Sequence, residues 1–400
     1  MMKGISAFMT QRKRIGAIVL HTAYTFIFPF MTFVLSLITI RATSTAVWGA
    51  FAERLIVVHL LLLLGKWGFR TYLLREFSLH PSEISKKWAE TTSGRLGVLL
   101  VCCLIVLFFP GWPLHEKVWL LIWVIAGYAY QAFDPFVVYF KRFLKPLVTE
   151  FILIAIAAGY LLFTGKETGV EDLIMVFTLT TLVRVFCYGY FFRSLLDSNR
   201  KHYTFNVSLL KYILPFLAIG MVSLISSRAD MYSVAYLLGE EELGVYHIFM
   251  SYLLIGQAGA RLIVVPFEKS IYRATPRLMK SAIRLMLLLG IGITIFWTAC
   301  VWVIITIGYG MDLPFSYYLL SPLLNFPVYI YYLIMIRLLK RQLQRTVFVI
   351  NAISVFVNVG LCFLLVPLAG LKGAMIAASI SQLTMTIAYM IAWRFASSSK

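Results

Sequence analysis

The segment RADMYSVAYLLGEEELGVYHIFMSYLL (Arg228–Leu254) joins two apolar runs through a glycine and three glutamates. The first run reaches back to Tyr212, and about 20 residues suffice to cross the hydrocarbon of a bilayer. It nevertheless carries Arg228 and Asp230. A charge near the middle of a membrane costs about 2.5 kcal/mol or more, so such residues face a partner or a water-filled path. The reading that follows is of two membrane-crossing helices, an acidic turn between them, and buried charges that need a reason.

The same pattern extends in both directions. The chain is 61% hydrophobic and 13% charged, where a soluble domain has about 25% charged residues. Apolar runs predict spans near 15–40, 46–65, 95–113, 118–140, 147–164, 172–192, 211–238, 243–267, 284–307, 316–336, 346–366 and 373–393. The expected fold is therefore an all-α integral membrane protein of about 12 helices, with both termini on one side. The connections on that side, with the helix ends beside them, hold 28 of the 36 Lys and Arg, while the opposite connections hold Arg41, Lys117, Lys166 and Lys372. Positive charge marks the cytoplasmic face. The net charge of +19 is thus a consequence of topology and calls for no nucleic acid, although a basic inner face favours anionic membrane lipids.

The run after Arg12, Lys13 and Arg14 is too long for a cleavable signal peptide, so the first span is expected to stay attached. The five Cys fall in spans at no metal-ligand spacing, and the six His are scattered. Neither a disulfide framework nor a metal is expected, and no cofactor motif occurs. A phosphate-binding loop is missing too, because Gly65-Lys66 and Gly165-Lys166 lack both the upstream Gly and the following Ser or Thr. The outer connections are short, which leaves little surface for an enzyme site. The chain reads as a transporter.

Twelve spans fit two six-helix halves, 1–205 and 206–400, a common transporter plan. Traces of duplication run in the same order: Pro29-Phe30 with Pro215-Phe216, Trp48-Gly49-Ala50-Phe51 with Leu243-Gly244-Val245-Tyr246, and Arg95-Leu96 with Arg284-Leu285.

Helical periodicity sorts the polar residues inside the spans. Thr22, Thr25, Thr32, Ser36 and Thr39 share one face of the first span with Pro29, and Ser223, Ser226, Ser227, Asp230 and Ser233 share one face of the seventh. These stripes either pack against a neighbour or line a cavity. Arg228 lies about 160° around the helix from Asp230, so the two cannot pair within it. His247, Gln257 and Arg261 align in the eighth span, Thr180, Thr181, Arg184 and Tyr188 in the sixth, and Trp123, Gly127, Tyr130, Gln131 and Asp134 in the fourth. Four Arg (Arg54, Arg184, Arg228, Arg261) face four acids (Glu53, Asp134, Glu150, Asp230) within the spans. They either form interhelical ion pairs and snorkel to the headgroups, or line a cationic surface, because guanidinium grips phosphate in a bidentate fork.

Three segments carry a family resemblance. VWGAFAERLIVVHLLLLLGKWGFRTYLLREFS (47–78), RADMYSVAYLLGEEELGVYHIFMSYLL (228–254) and NVGLCFLLVPLAGLKGAMIAASIS (358–381) resemble the polysaccharide flippases of the Wzx type, within the multidrug/oligosaccharidyl-lipid/polysaccharide (MOP) exporter superfamily. The resemblance implies a MATE/MurJ-like fold in the bacterial cytoplasmic membrane. It implies movement of undecaprenyl-diphosphate-linked oligosaccharide repeat units, O-antigen or similar, to the outer leaflet by alternating access. A repeat-unit polymerase and a chain-length regulator are the partners that would go with it. On this reading Arg54, Arg184, Arg228, Arg261 and Gln257 bind substrate, Asp230, Asp134 and Glu53 couple ions, and Thr25, Thr32, Ser36, Ser223 and Ser227 line the cavity. The alternative is a MATE-like ion-coupled exporter of small molecules or drugs.

Overall fold

The computed structural model describes residues 2–66, 68–196, 217, 221–222, 225, 228–264, 276–341 and 343–398. Their regular structure is helical: α1 (Met2–Ala42), α2 (Thr45–Lys66), α3 (Phe69–Leu79), α4 (Ile84–Gly94), α5 (Leu96–Phe108), α6 (Leu114–Tyr139), α7 (Leu144–Thr164) and α8 (Val170–Phe191), then α9 (228–238), α10 (Glu240–Val264), α11 (Pro276–Val303), α12 (Phe315–Lys340) and α13 (Gln344–Ser398). Nine segments among the described residues are long and apolar enough to cross a membrane. The last of them, Arg345–Ala396, is 52 residues long and breaks at Gly370, whose φ of 57° leaves the helical region. The helix returns on itself there. Gly373 allows the return, since a Cβ at that position would stand 2.1 Å from the carbonyl oxygen of Leu365. Ser354 and Ser381 then clasp the two arms, each hydroxyl reaching the other residue's backbone carbonyl, with the oxygens 2.8 Å apart.

Large apolar side chains face outward, as a lipid solvent requires. Phe163 is 89% exposed, and Phe108, Phe186, Leu288, Phe356 and Phe395 are exposed as well. Spans interrupted by Pro29, Pro135, Pro322, Pro327 and Pro367 persist because neighbouring helices and side chains satisfy the freed backbone groups.

The chain forms two compact units, Met1–Thr43 with Arg54–Met221, and Ser44–Glu53 with Val222–Lys400. In the first, α1 packs on α7, and α6 packs on α5 and α8. The stretch 66–94, which reads from sequence as a bare connection, contains α3 and α4. They are tied to α6 by Trp88, which donates to the Ala132 carbonyl at 2.6 Å, and by Tyr139, which donates to Phe77 at 3.0 Å. Phe77, Trp88, Phe133, Phe136 and Phe192 fill the space between.

In the second unit, α12 packs on α10, α11 and α13. The start of α2 meets the start of α10 at unusually short range. A Cβ on Gly49 would lie 1.7 Å from the Glu240 carbonyl oxygen, and one on Gly244 would lie 2.2 Å from that of Thr45. Only residues without a side chain fit here, as in the small-residue crossings typical of membrane helices. Trp48, fully buried, donates to His247 Nδ1 at 3.4 Å beside this crossing.

Candidate functional site

The first unit pairs its buried charges. Arg184 Nε on α8 lies 2.8 Å from Glu150 Oε2 on α7, and both side chains are 3% exposed. The same guanidinium donates to the sulfur of Met31 and stands over the rings of Phe28 and Tyr130. Four helices thus converge on one ion pair. Arg54 on α2 meets Glu116 in the first turn of α6 at 3.1 Å and stands over Trp112. Glu116 reads from sequence as part of an outer connection, because the apolar run begins after it. Helix α6 starts at Leu114 instead, which carries that carboxylate into reach. Asp134 accepts from Tyr24 at 3.3 Å and pairs with Arg70 Nε at 3.0 Å.

The polar stripe of α1 is present but turned inward on its own backbone. Thr25, Thr32 and Ser36 donate to the carbonyls of His21, Phe28 and Phe33 at 2.8, 3.1 and 2.8 Å. A hydroxyl so engaged keeps its lone pairs and can still accept. The stripe therefore presents acceptors, not donors.

The second unit holds the other candidates. Asp230 is 2% exposed, and its Oδ2 accepts from Tyr246 on α10 at 2.6 Å. Its Oδ1 has no hydrogen-bond partner among the described residues. A carboxyl with one oxygen held and one bare is equipped to take a proton. Tyr246 carries no charge and sits in an apolar run, so only the structure identifies it as the partner. Arg228 donates to the sulfur of Met231 at 3.0 Å and stays within electrostatic reach of Asp230 without forming an ion pair to it. Gln257 donates to the Leu324 carbonyl at 3.0 Å, within the proline-interrupted part of α12. Arg261, one turn before the end of α10, is exposed. Glu53 is half-buried on the portion of α2 that belongs to this unit. Ser223 and Ser227 lie outside the described residues.

The arrangement provides buried acids, exposed or lightly held guanidinium groups and hydroxyl acceptors. No cluster of His, Cys, Asp or Glu suited to a metal occurs among the described residues.

The sequence matches no family model and no curated protein. The fold does match solved structures. The lipid II flippase MurJ, in an inward closed conformation, aligns with a TM-score of 0.65 at 14% identity over 94% of this chain and 87% of that one. Two conformations of a multidrug resistance MATE family transporter of the MOP superfamily align as well. The outward-facing form has a TM-score of 0.62 at 14% identity and covers 96% of both chains. The inward-facing form has a TM-score of 0.65 at 12% identity and covers 96% of this chain and 98% of that one. The chain is therefore a multi-pass membrane protein that shares the helical fold of these solved structures.

Proposed function

We propose that the protein is a lipid-linked oligosaccharide flippase of twelve spans with cytoplasmic termini, working in a bacterial inner membrane. Its substrate is an undecaprenyl-diphosphate-linked repeat unit of O-antigen or a similar polysaccharide, carried to the outer leaflet by alternating access. The observation that carries this reading is that two of the intramembrane arginines, Arg228 and Arg261, stand outside the ion pairs that hold Arg54 and Arg184: a cavity for organic cations would favour acids and aromatics, whereas guanidinium groups suit a diphosphate. Arg228 donates only to a methionine sulfur among the described residues and Arg261 is exposed, and we assign both to the phosphates. Arg54 and Arg184 are held by Glu116 and Glu150, which gives them a framework role while those pairs stand. Gln257 and the acceptor stripe of Thr25, Thr32 and Ser36 serve the sugar hydroxyls, a role we also assign to Ser223 and Ser227. Asp230, with Asp134 and Glu53, carries ion coupling. A repeat-unit polymerase and a chain-length regulator would act on the product.

The MATE-like exporter is the second reading, favoured by the equal structural likeness to those transporters. Deleting the gene separates the two. Lost surface polysaccharide with precursor stranded on the cytoplasmic leaflet supports the flippase; normal polysaccharide with altered drug sensitivity supports the exporter.

Substitutions at two positions probe the assigned roles. Asp230→Asn keeps the shape of the Tyr246 contact but cannot carry a proton, and transport is expected to fall at least tenfold with normal membrane insertion. Undiminished polysaccharide in that variant removes Asp230 from coupling. Arg261→Ala is expected to lose transport and Arg261→Lys to recover little of it, because an ammonium cannot reproduce the guanidinium fork. Full activity in the Lys variant excludes a bidentate phosphate contact.

A further inference from the structure

The amide of Asn325 on α12 is 1% exposed, yet neither its nitrogen nor its oxygen has a hydrogen-bond partner among the described residues. Buried polar groups are almost always paired, so such a residue marks a place where something else supplies the bonds. The surroundings narrow down what that is. Asn325 Nδ2 and the indole of Trp297 on α11 approach the same point on α10. A Cβ on Gly256 would stand 3.0 Å from the amide nitrogen and 2.5 Å from the indole Cδ1. Beside it, Gln257 donates to the carbonyl of Leu324, the residue preceding Asn325. Thr294 and Thr298, near Trp297 on the same helix, bring two further buried hydroxyls without hydrogen-bond partners among the described residues.

A cation would use only the amide oxygen, and an anion only its nitrogen. A ligand that uses both presents a donor and an acceptor together without net charge, as a hydroxyl group does. An aromatic ring beside amides also suits the apolar face of a sugar ring. The helix bearing Asn325 is built to loosen there, because Pro322 and Pro327 bring no N–H to the carbonyls one turn before them.

We propose that Asn325, Gln257 and Trp297 form a hydroxyl-recognition site for the saccharide portion of the substrate, separate from the arginines that take its phosphates. The proposal rests on the flippase reading for its physiological ligand; its chemistry is testable without it. In a gene-deleted strain, Asn325→Leu is expected to insert and melt like the wild type, because removing an unpartnered amide costs little, while surface polysaccharide falls at least tenfold. Wild-type output from Asn325→Leu overturns the proposal and leaves a site filled by water alone. Should Asn325→Leu fold poorly, Asn325→Ser keeps a donor and an acceptor but loses their spacing. A folded Ser variant with reduced output supports the site, and one with full output overturns it. Full-length protein in nanodiscs, titrated with maltotriose as a neutral hydroxyl probe, supplies the independent arm. A tryptophan fluorescence change that disappears in Asn325→Leu and in Trp297→Leu supports the site even if the wild-type gene fails to restore polysaccharide, an outcome that would sink only the flippase reading. If maltotriose has no effect on the wild type in that same case, the site is overturned.

Discussion

Gly49→Ala is expected to lower the yield of folded protein severely. The added methyl would sit 1.7 Å from the backbone oxygen of Glu240 and 2.9 Å from the nitrogen of Gly244, and neither can rotate aside as a side chain would. The two helices would have to separate. Overpacking of this kind costs about 1–3 kcal/mol and sometimes more, and it would also disturb buried Trp48 and its contact with His247. Gly244→Ala, facing the Thr45 carbonyl at 2.2 Å, should behave alike. Gly159→Ala is the internal control. Nothing lies within 4 Å of a Cβ there, and exchanging Gly for Ala inside a helix gains roughly 1 kcal/mol. Thermal melting with size-exclusion yield should therefore move in opposite directions for the two substitutions. Equal stability of Gly49→Ala and Gly159→Ala would show that the crossing is looser than the geometry implies.

The second large effect is expected at the Arg184–Glu150 pair. Glu150→Leu leaves a guanidinium buried at 3% side-chain exposure, with a methionine sulfur and two aromatic rings as its remaining contacts among the described residues. Breaking a buried pair from one side costs about 3–5 kcal/mol, whereas replacing both partners by apolar residues is often close to neutral. Glu150→Leu should therefore melt far below the wild type, and adding Arg184→Met should recover most of the loss. If the double variant is as unstable as the single one, the damage lies in packing among α1, α6, α7 and α8, not in an orphaned charge.

These two sites show where sequence reading stops. Apolar run length locates α2, α6, α7, α8 and α10 and the end of α1 within a few residues, because about 20 apolar residues can do little other than cross a bilayer; α1 itself begins at Met2, well before its apolar run. Helical periodicity places Arg184, Tyr130 and Asp230 on definite faces. It cannot say which helix those faces meet, so Glu150 and Arg184 appear among the intramembrane charges without being joined. Partners on short or amphipathic elements are harder still: Arg70 on α3 and Glu116 at the mouth of α6 lie where the hydropathy signal fades. Uncharged partners such as Tyr246, Tyr24 and Asn325 blend into the apolar background. The acceptor character of the α1 stripe was likewise invisible, since composition lists hydroxyls without saying where their protons go.

The meeting of α2 and α10 is reciprocal: Gly49 opposes the residue four before Gly244, and Gly244 opposes the residue four before Gly49. Each glycine guards a different backbone carbonyl, so neither can be relieved by a change at the other. The crossing therefore works like a lock with two keys, and one added methyl on either helix is enough to open it.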